Sequence, residues 1–237
     1  RVEQDLGSDT VAGFTARAWM SALENPGSIG PFATRAVDER EACLATGYFE
    51  HFASERFRSK VVVGYYHEEF EERGAFPFES EAEKISLDLR NVVSWSDQHE
   101  TVVGGLLEWS SFRSTGTPVD EDGWLSGLYA NHVWQPIGGV TASVGGRWEH
   151  LERWDDAFTW RATGSWQTPV DGVRMRGSYG IGFRAPSYFE LFGVIPAFDF
   201  VGNPDLKEER SRGWDVGVEW QLCEGLLFDV TWFHNRI

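Results

Sequence analysis

The chain has 237 residues, 41% hydrophobic and 24% charged, which excludes a disordered tail, and no stretch reaches the roughly 18 uninterrupted apolar residues of a spanning helix. Thirty-seven acidic against twenty-one basic side chains give a net charge of -16, which speaks against nucleic acid as a partner, since that affinity comes from Lys and Arg neutralising phosphates. With 26 Gly, 12 Trp and 17 Phe but 2 Met, the composition favours strands joined by tight turns.

The opening RVEQDLGSDT has neither an initiator Met nor the basic-then-apolar layout of a signal peptide, so any targeting segment is expected outside it. In chain order, 44–54 and 100–112 mix apolar and polar residues on both faces and are ambiguous, whereas four segments alternate with the period of two that marks a strand. In the first, Ile85, Leu87, Leu89, Val93 and Trp95 oppose Lys84, Ser86, Asp88, Arg90 and Ser94. Val140, Ala142, Val144 and Trp148 then oppose Thr141, Ser143, Arg147 and Glu149. Phe158, Trp160, Ala162 and Trp166 oppose Thr159, Arg161, Thr163, Ser165 and Gln167. Trp214, Val216, Val218, Trp220 and Leu222 oppose Asp215, Glu219 and Gln221. The whole chain reads as about eleven strands, all-β, in an antiparallel meander, because its short turns leave no room for crossovers.

The connections alternate in length with a constant phase. Short ones fall at Ser54-Glu55, Ser96 to His99, Gln135 to Gly139, Pro169 to Gly172 and Cys223 to Gly225; between them lie 22–42, 72–83, 114–122, a brief 152–156 and the long run 185–210. A transmembrane β-barrel keeps such a phase, with tight periplasmic turns on one rim and longer extracellular loops on the other; a soluble sandwich has no reason to. Trp95, Trp134 and Trp166 near the short-turn ends, and Trp109, Trp124, Trp148, Trp154 and Trp214 near the long-loop ends, fit two interfacial girdles. On this plan Cys43 begins a strand at the extracellular rim and Cys223 lies at the periplasmic rim, too far apart for a disulfide. A sheet with open edges is expected to need detergent or further strands.

Candidate chemistry is sparse. His67-Glu68-Glu69 with Glu71-Glu72 lacks the second His of a zinc helix motif and reads as a solvated acidic loop at a strand end. Asp120-Glu121-Asp122-Gly123 offers oxygen ligands but falls short of a calcium loop, leaving Asp120 and Asp122 as weak metal candidates in a chain for which no metal or cofactor is expected. No nucleophile elbow or phosphate loop occurs, so no catalytic residue is assigned. Arg147, Arg161, Arg174, Arg176 and Arg184 fall on polar strand faces, where they either attract an anionic solute or pair with acids such as Glu149.

The run GSYGIGFRAPSYFELFG (177–193), then GNPDLKEERSRGWDVGVEW (202–220), then LLFDVTWFHNRI (226–237), resembles the C-terminal barrel region of TonB-dependent outer-membrane receptors. The residues that carry it are Gly182, Phe183, Arg184, Pro186, Glu190, Leu191, Gly202, Asn203, Pro204, Leu206, Glu209 and Ser211. They read as a fold signature: Pro186 ends a strand, Asn203-Pro204 starts a turn, and Gly182 and Gly202 permit close backbone approach. The resemblance implies residues 1–237 as part of a barrel of about 22 strands, truncated at both ends, whose plug lies outside this chain. It implies bacterial outer-membrane lipid as surroundings, the TonB energy-transducing protein as a partner through that plug, and active uptake of a scarce large solute: ferric siderophore, cobalamin, haem or oligosaccharide. Two rival readings remain at this stage, a passive porin or adhesin-like barrel and a barrel or glycan-acting hydrolase.

Overall fold

The computed structural model of the chain describes residues 1–25, 36–74, 77–117, 119–153, 156–195 and 199–237. The elements in order are β1 (Val2–Asp5), β2 (Thr10–Asn25), β3 (Ala36–Ser54), β4 (Phe57–Arg73), β5 (Phe78–Ser96), β6 (His99–Ser114), β7 (Val119–Trp134), β8 (Val140–Leu151), β9 (Ala157–Gln167), β10 (Val173–Arg184), a one-turn helix α1 (Tyr188–Phe192), β11 (Val194–Ile195), β12 (Phe200–Val201), β13 (Glu209–Cys223) and β14 (Leu226–Arg236). Twelve of the strands form one antiparallel sheet in sequence order, with β10 beside β13, while β11 and β12 pair as a separate small hairpin. The expected meander is therefore present.

What the sheet does with its apolar face separates a membrane barrel from a sandwich, since a sandwich buries that face against a second sheet. Here Ile85, Leu87 and Leu89 are 47%, 45% and 44% exposed, and no large side chain among the described residues is fully buried. The alternating hydrophobes thus point outward into what must be lipid, and the polar faces look into the concave side. Trp95, Trp134 and Trp166 sit at or next to the short-turn ends of β5, β7 and β9. Trp109 lies opposite Trp124 toward the other rim; Trp154 lies outside the described residues.

The tight turns fall where the spacing placed them. Gly172, with φ 73°, occupies the left-handed region, and a Cβ there would meet the Gln221 carbonyl oxygen at 2.3 Å, so neither the conformation nor the space admits a side chain. Several of the longer connections, by contrast, are shorter than expected. β2 runs to Asn25 and β3 starts at Ala36, and only residues 74–77 separate β4 from β5, so most of the acidic stretches expected in the 22–42 and 72–83 loops are strand. Likewise 114–122 shrinks to 115–118. Above the bilayer a strand needs no apolar alternation, only paired backbone groups, and the ladder continues through charged residues. The register sets Glu39 opposite Glu71, Glu71 opposite Glu79, Glu41 opposite Glu69 and Glu69 opposite Glu81. Arg73, 2.9 Å from Glu39 and 2.6 Å from Glu71, and Arg113, 3.5 Å from Glu81 and 3.0 Å from Asp120, offset part of that repulsion. The His67-Glu68-Glu69 group is accordingly interior to β4 and not at its end.

Cys43 is also displaced from its expected position. It stands well inside β3, opposite Ala18 and His67, because β3 begins seven residues earlier than the loop assignment implied. Cys223 ends β13 as expected, and both thiols are free.

Candidate functional site

The connection from β10 to β13 is folded into the concave side, and its shape follows from a few residues. Pro186 stops β10, and Ser187, extended at φ -74° and ψ 158°, caps α1. The Ser187 hydroxyl accepts from the Glu190 N–H at 3.2 Å while the Glu190 carboxylate accepts the Ser187 N–H at 2.7 Å, a reciprocal capping box. Arg184, the last residue of β10, donates to both Glu190 oxygens at 2.8 and 2.9 Å and lies 3.4 Å from Glu209, the first residue of β13. The Glu190 carboxyl is held down at about 2, first by the Ser187 N–H, then by the Arg184 guanidinium and the Ser187 hydroxyl.

The far half of the loop locks onto this helical turn. The Gly202 N–H donates to the Gly193 carbonyl at 2.7 Å and the Asn203 N–H to the Glu190 carbonyl at 3.0 Å. A Cβ on Gly202 would lie 2.6 Å from the Leu191 carbonyl atoms, so glycine is what allows the two halves to touch. The Asn203 side chain accepts the Asp205 N–H at 3.0 Å, turning the chain through Pro204 toward Leu206. Phe189 stacks on Phe200 at 5.0 Å, and Leu191 is 2% exposed. Gly182 pairs with Ser211, Phe183 with Arg210 and Arg184 with Glu209 where the two strands meet. The residues singled out in the sequence from Gly182 to Ser211 are thereby brought into one unit.

α1 leans on the inward faces of β6, β7 and the end of β8. The Tyr188 hydroxyl is 3.5 Å from the Ser110 hydroxyl, and the Arg153 guanidinium lies over the Phe192 ring at 5.6 Å. Arg153 is itself fixed by Glu121 at 2.6 Å and by the Asp122 carbonyl at 3.0 Å. Beneath the helix is a cavity of about 430 Å³, lined among others by Phe112, Leu125, Leu151, Tyr188 and the Lys84–Glu108 ion pair at 2.9 Å. An apolar hollow with a few convergent polar groups is the general form of a small-molecule site.

The arginines are dispersed over the concave wall. Arg147 donates to Glu149; Arg161 donates to the Ser178 hydroxyl at 3.0 Å, and that hydroxyl donates to Asp215. Arg176 bridges strands, reaching Asp229 and Thr231 at 2.8 Å each and Glu219 at 3.7 Å. Arg174 is exposed with no ion pair among the described residues. Asp120 pairs with Arg113, and Asp122 accepts from the Trp109 indole at 3.3 Å, while Glu121 between them faces Arg153, so the three carboxylates do not converge. Sequence reasoning missed α1 and the inward contacts of Tyr188, Arg153 and Phe192. The signal was there in Ser187-Tyr188-Phe189-Glu190, a Ser-x-x-Glu box immediately after a proline.

Residues 32–237 match the family model described as TonB dependent receptor-like, beta-barrel. Among solved structures, the chain is similar to the siderophore receptor PirA from Pseudomonas aeruginosa, with a TM-score of 0.74 at 16% identity over 98% of this chain and 44% of that one. The alcaligin outer-membrane receptor FauA from Bordetella pertussis gives 0.72 at 17% identity over 99% and 42%. The hemophore receptor HasR from Serratia marcescens, solved with its hemophore HasA and heme, gives 0.68 at 12% over 95% and 45%. The chain thus spans less than half the length of each, and at these identities the likeness establishes the fold. With most of its length matched by the family model and its apolar face turned to lipid, the chain belongs to the TonB-dependent receptors of the bacterial outer membrane, whose β-barrel it helps to build.

Proposed function

We propose that this barrel serves energy-dependent uptake of a scarce, large solute, with ferric siderophores and haem as the first classes to test and cobalamin or an oligosaccharide as the others. The observation that carries the reading is the family match over 32–237. It is supported by a concave wall of charged and hydroxyl side chains and by a loop folded inward over a cavity of about 430 Å³. The wall and loop contact and guide the solute without forming or breaking its bonds. The energy-transducing partner acts through a plug domain carried outside these residues.

The test is growth of the host on single supplied iron or cofactor sources, with the gene deleted and restored. Loss of growth on one source in the deletion strain, reproduced by removing the energy-transducing partner, supports the reading. Uptake that persists without that partner would identify a passive pore, and turnover of lipid or glycan by the purified barrel would identify an enzyme.

A further inference from the structure

At the short-turn end of the sheet, away from the cavity, His99 opens β6 and His132 stands two residues before the end of β7. They lie on the outward face, in line with Val103, Leu107 and Leu128, which are 41%, 43% and 63% exposed. His99 Nδ1 is 3.1 Å from His132 Nε2. His132 Nδ1 is 2.8 Å from the Thr101 hydroxyl, which accepts the Trp95 indole N–H at 2.8 Å. The His99 ring lies nearly parallel to Trp134, at 18° and 6.0 Å.

We propose that His99 and His132 form a bidentate site for a divalent late transition ion, copper(II) or zinc(II), on the lipid-facing periplasmic rim. Two nitrogens each about 2.0–2.1 Å from one ion are about 3.3 Å apart at a tetrahedral angle and about 2.9 Å apart at a right angle. The observed 3.1 Å lies between these values; with the ring centroids 5.4 Å apart the two nitrogens face each other along one line, so each ring tilts by roughly 35–45° to bring both lone pairs onto one ion. Imidazole selects copper and zinc over the hard cations, which require oxygen ligands.

The surroundings supply what a ligating histidine needs beyond its metal bond, a partner for the second ring nitrogen. The Trp95 indole can only donate, while the Thr101 hydroxyl can donate to His132 Nδ1 or accept from it; in the ion-free tautomer in which the hydroxyl donates, His132 Nε2–H donates to His99 Nδ1. When the ion takes the lone pairs of His99 Nδ1 and His132 Nε2, the His132 proton passes to Nδ1. There it is accepted by Thr101, whose two lone pairs serve both Trp95 and His132 while its own hydrogen turns to solvent. Both rings stay neutral and no proton is lost. Trp134 holds the His99 plane, and water fills the remaining coordination positions.

The test is copper(II) titration of the whole receptor in detergent, comparing parent, His99→Gln, His132→Gln and the double variant. Tryptophan emission and the paramagnetic resonance of bound copper are followed together. The expected result is one ion per chain whose resonance carries two imidazole nitrogens and which quenches part of the emission. Each single variant should lose at least about tenfold in affinity, and Thr101→Val should weaken binding about tenfold with the barrel's heat-dependent gel migration unchanged. Zinc should raise the unfolding temperature of the parent and leave that of the double variant unmoved, which keeps the test valid if one single variant fails to fold. Equal copper binding and equal quenching in parent and double variant would overturn the proposal.

Discussion

Trp124 and Trp134 stand ten residues apart on the same outward face of β7, exposed by 50% and 46%. Ten residues at about 3.3 Å each, tilted by about 40°, rise roughly 25 Å, which is the height of an outer-membrane barrel's apolar band. Leu128, between them and 63% exposed, therefore lies near the bilayer midplane. Leu128→Arg is expected to cost about 2–4 kcal/mol of folding stability, whereas Asn131→Lys on the concave face should cost less than about 1 kcal/mol. Urea titration of the barrel refolded in vesicles checks both, and equal costs would remove the assignment of the two faces.

The inward loop is held by its cap. Ser187→Ala removes the hydroxyl that accepts the Glu190 N–H, a change that typically costs about 1 kcal/mol, or roughly fivefold in local opening. Hydrogen exchange at 188–193 should speed up by about that factor, with exchange in β7 unchanged.

Acid should loosen the same loop within a defined window. The Glu190 carboxyl is depressed from 4.5 to about 2 in the folded chain, so its contribution is fully present above about 4.5 and is lost as pH falls through about 2. Pepsin nicking between 185 and 208, normalised to an unfolded peptide of the same sequence, should rise across that window in the parent. Glu190→Ala should show the faster rate throughout and no further rise.

Cys43 and Cys223 sit on β3 and β13, eight strand steps apart in the sheet order. At about 4.8 Å per step they are separated by roughly 38 Å along the sheet, against the roughly 4.4–6.8 Å a disulfide spans. A non-reducing digest of the monomer should contain no Cys43–Cys223 crosslink, and finding one would contradict the meander.

The strands were legible where lipid enforces alternation, as at Ile85 to Trp95 or Trp214 to Leu222, since there each residue's polarity reports its face. Above the membrane that constraint lapses. Glu39, Glu41, Glu69, Glu71, Glu79 and Glu81 look like loop residues, yet they lie in continuous ladders whose register only the fold reveals. The loop motif was visible as a set of residues but not as a shape, because Arg184 meets Glu209 only once β10 and β13 are side by side. The contact of Tyr188 with Ser110 joins residues 78 positions apart, and no local pattern encodes it.

Those rows of carboxylates across β3, β4 and β5 give the barrel a sided exterior. With a Debye length of about 8 Å at physiological ionic strength, their field reaches little beyond contact distance, so it acts on whatever lies directly alongside. Two copies that met through this flank would press like charge on like charge, whereas the flanks formed by β8 to β10 present Trp148, Phe158 and Tyr179. In a crowded membrane the molecule therefore has one side that turns neighbours of its own kind away and others that do not.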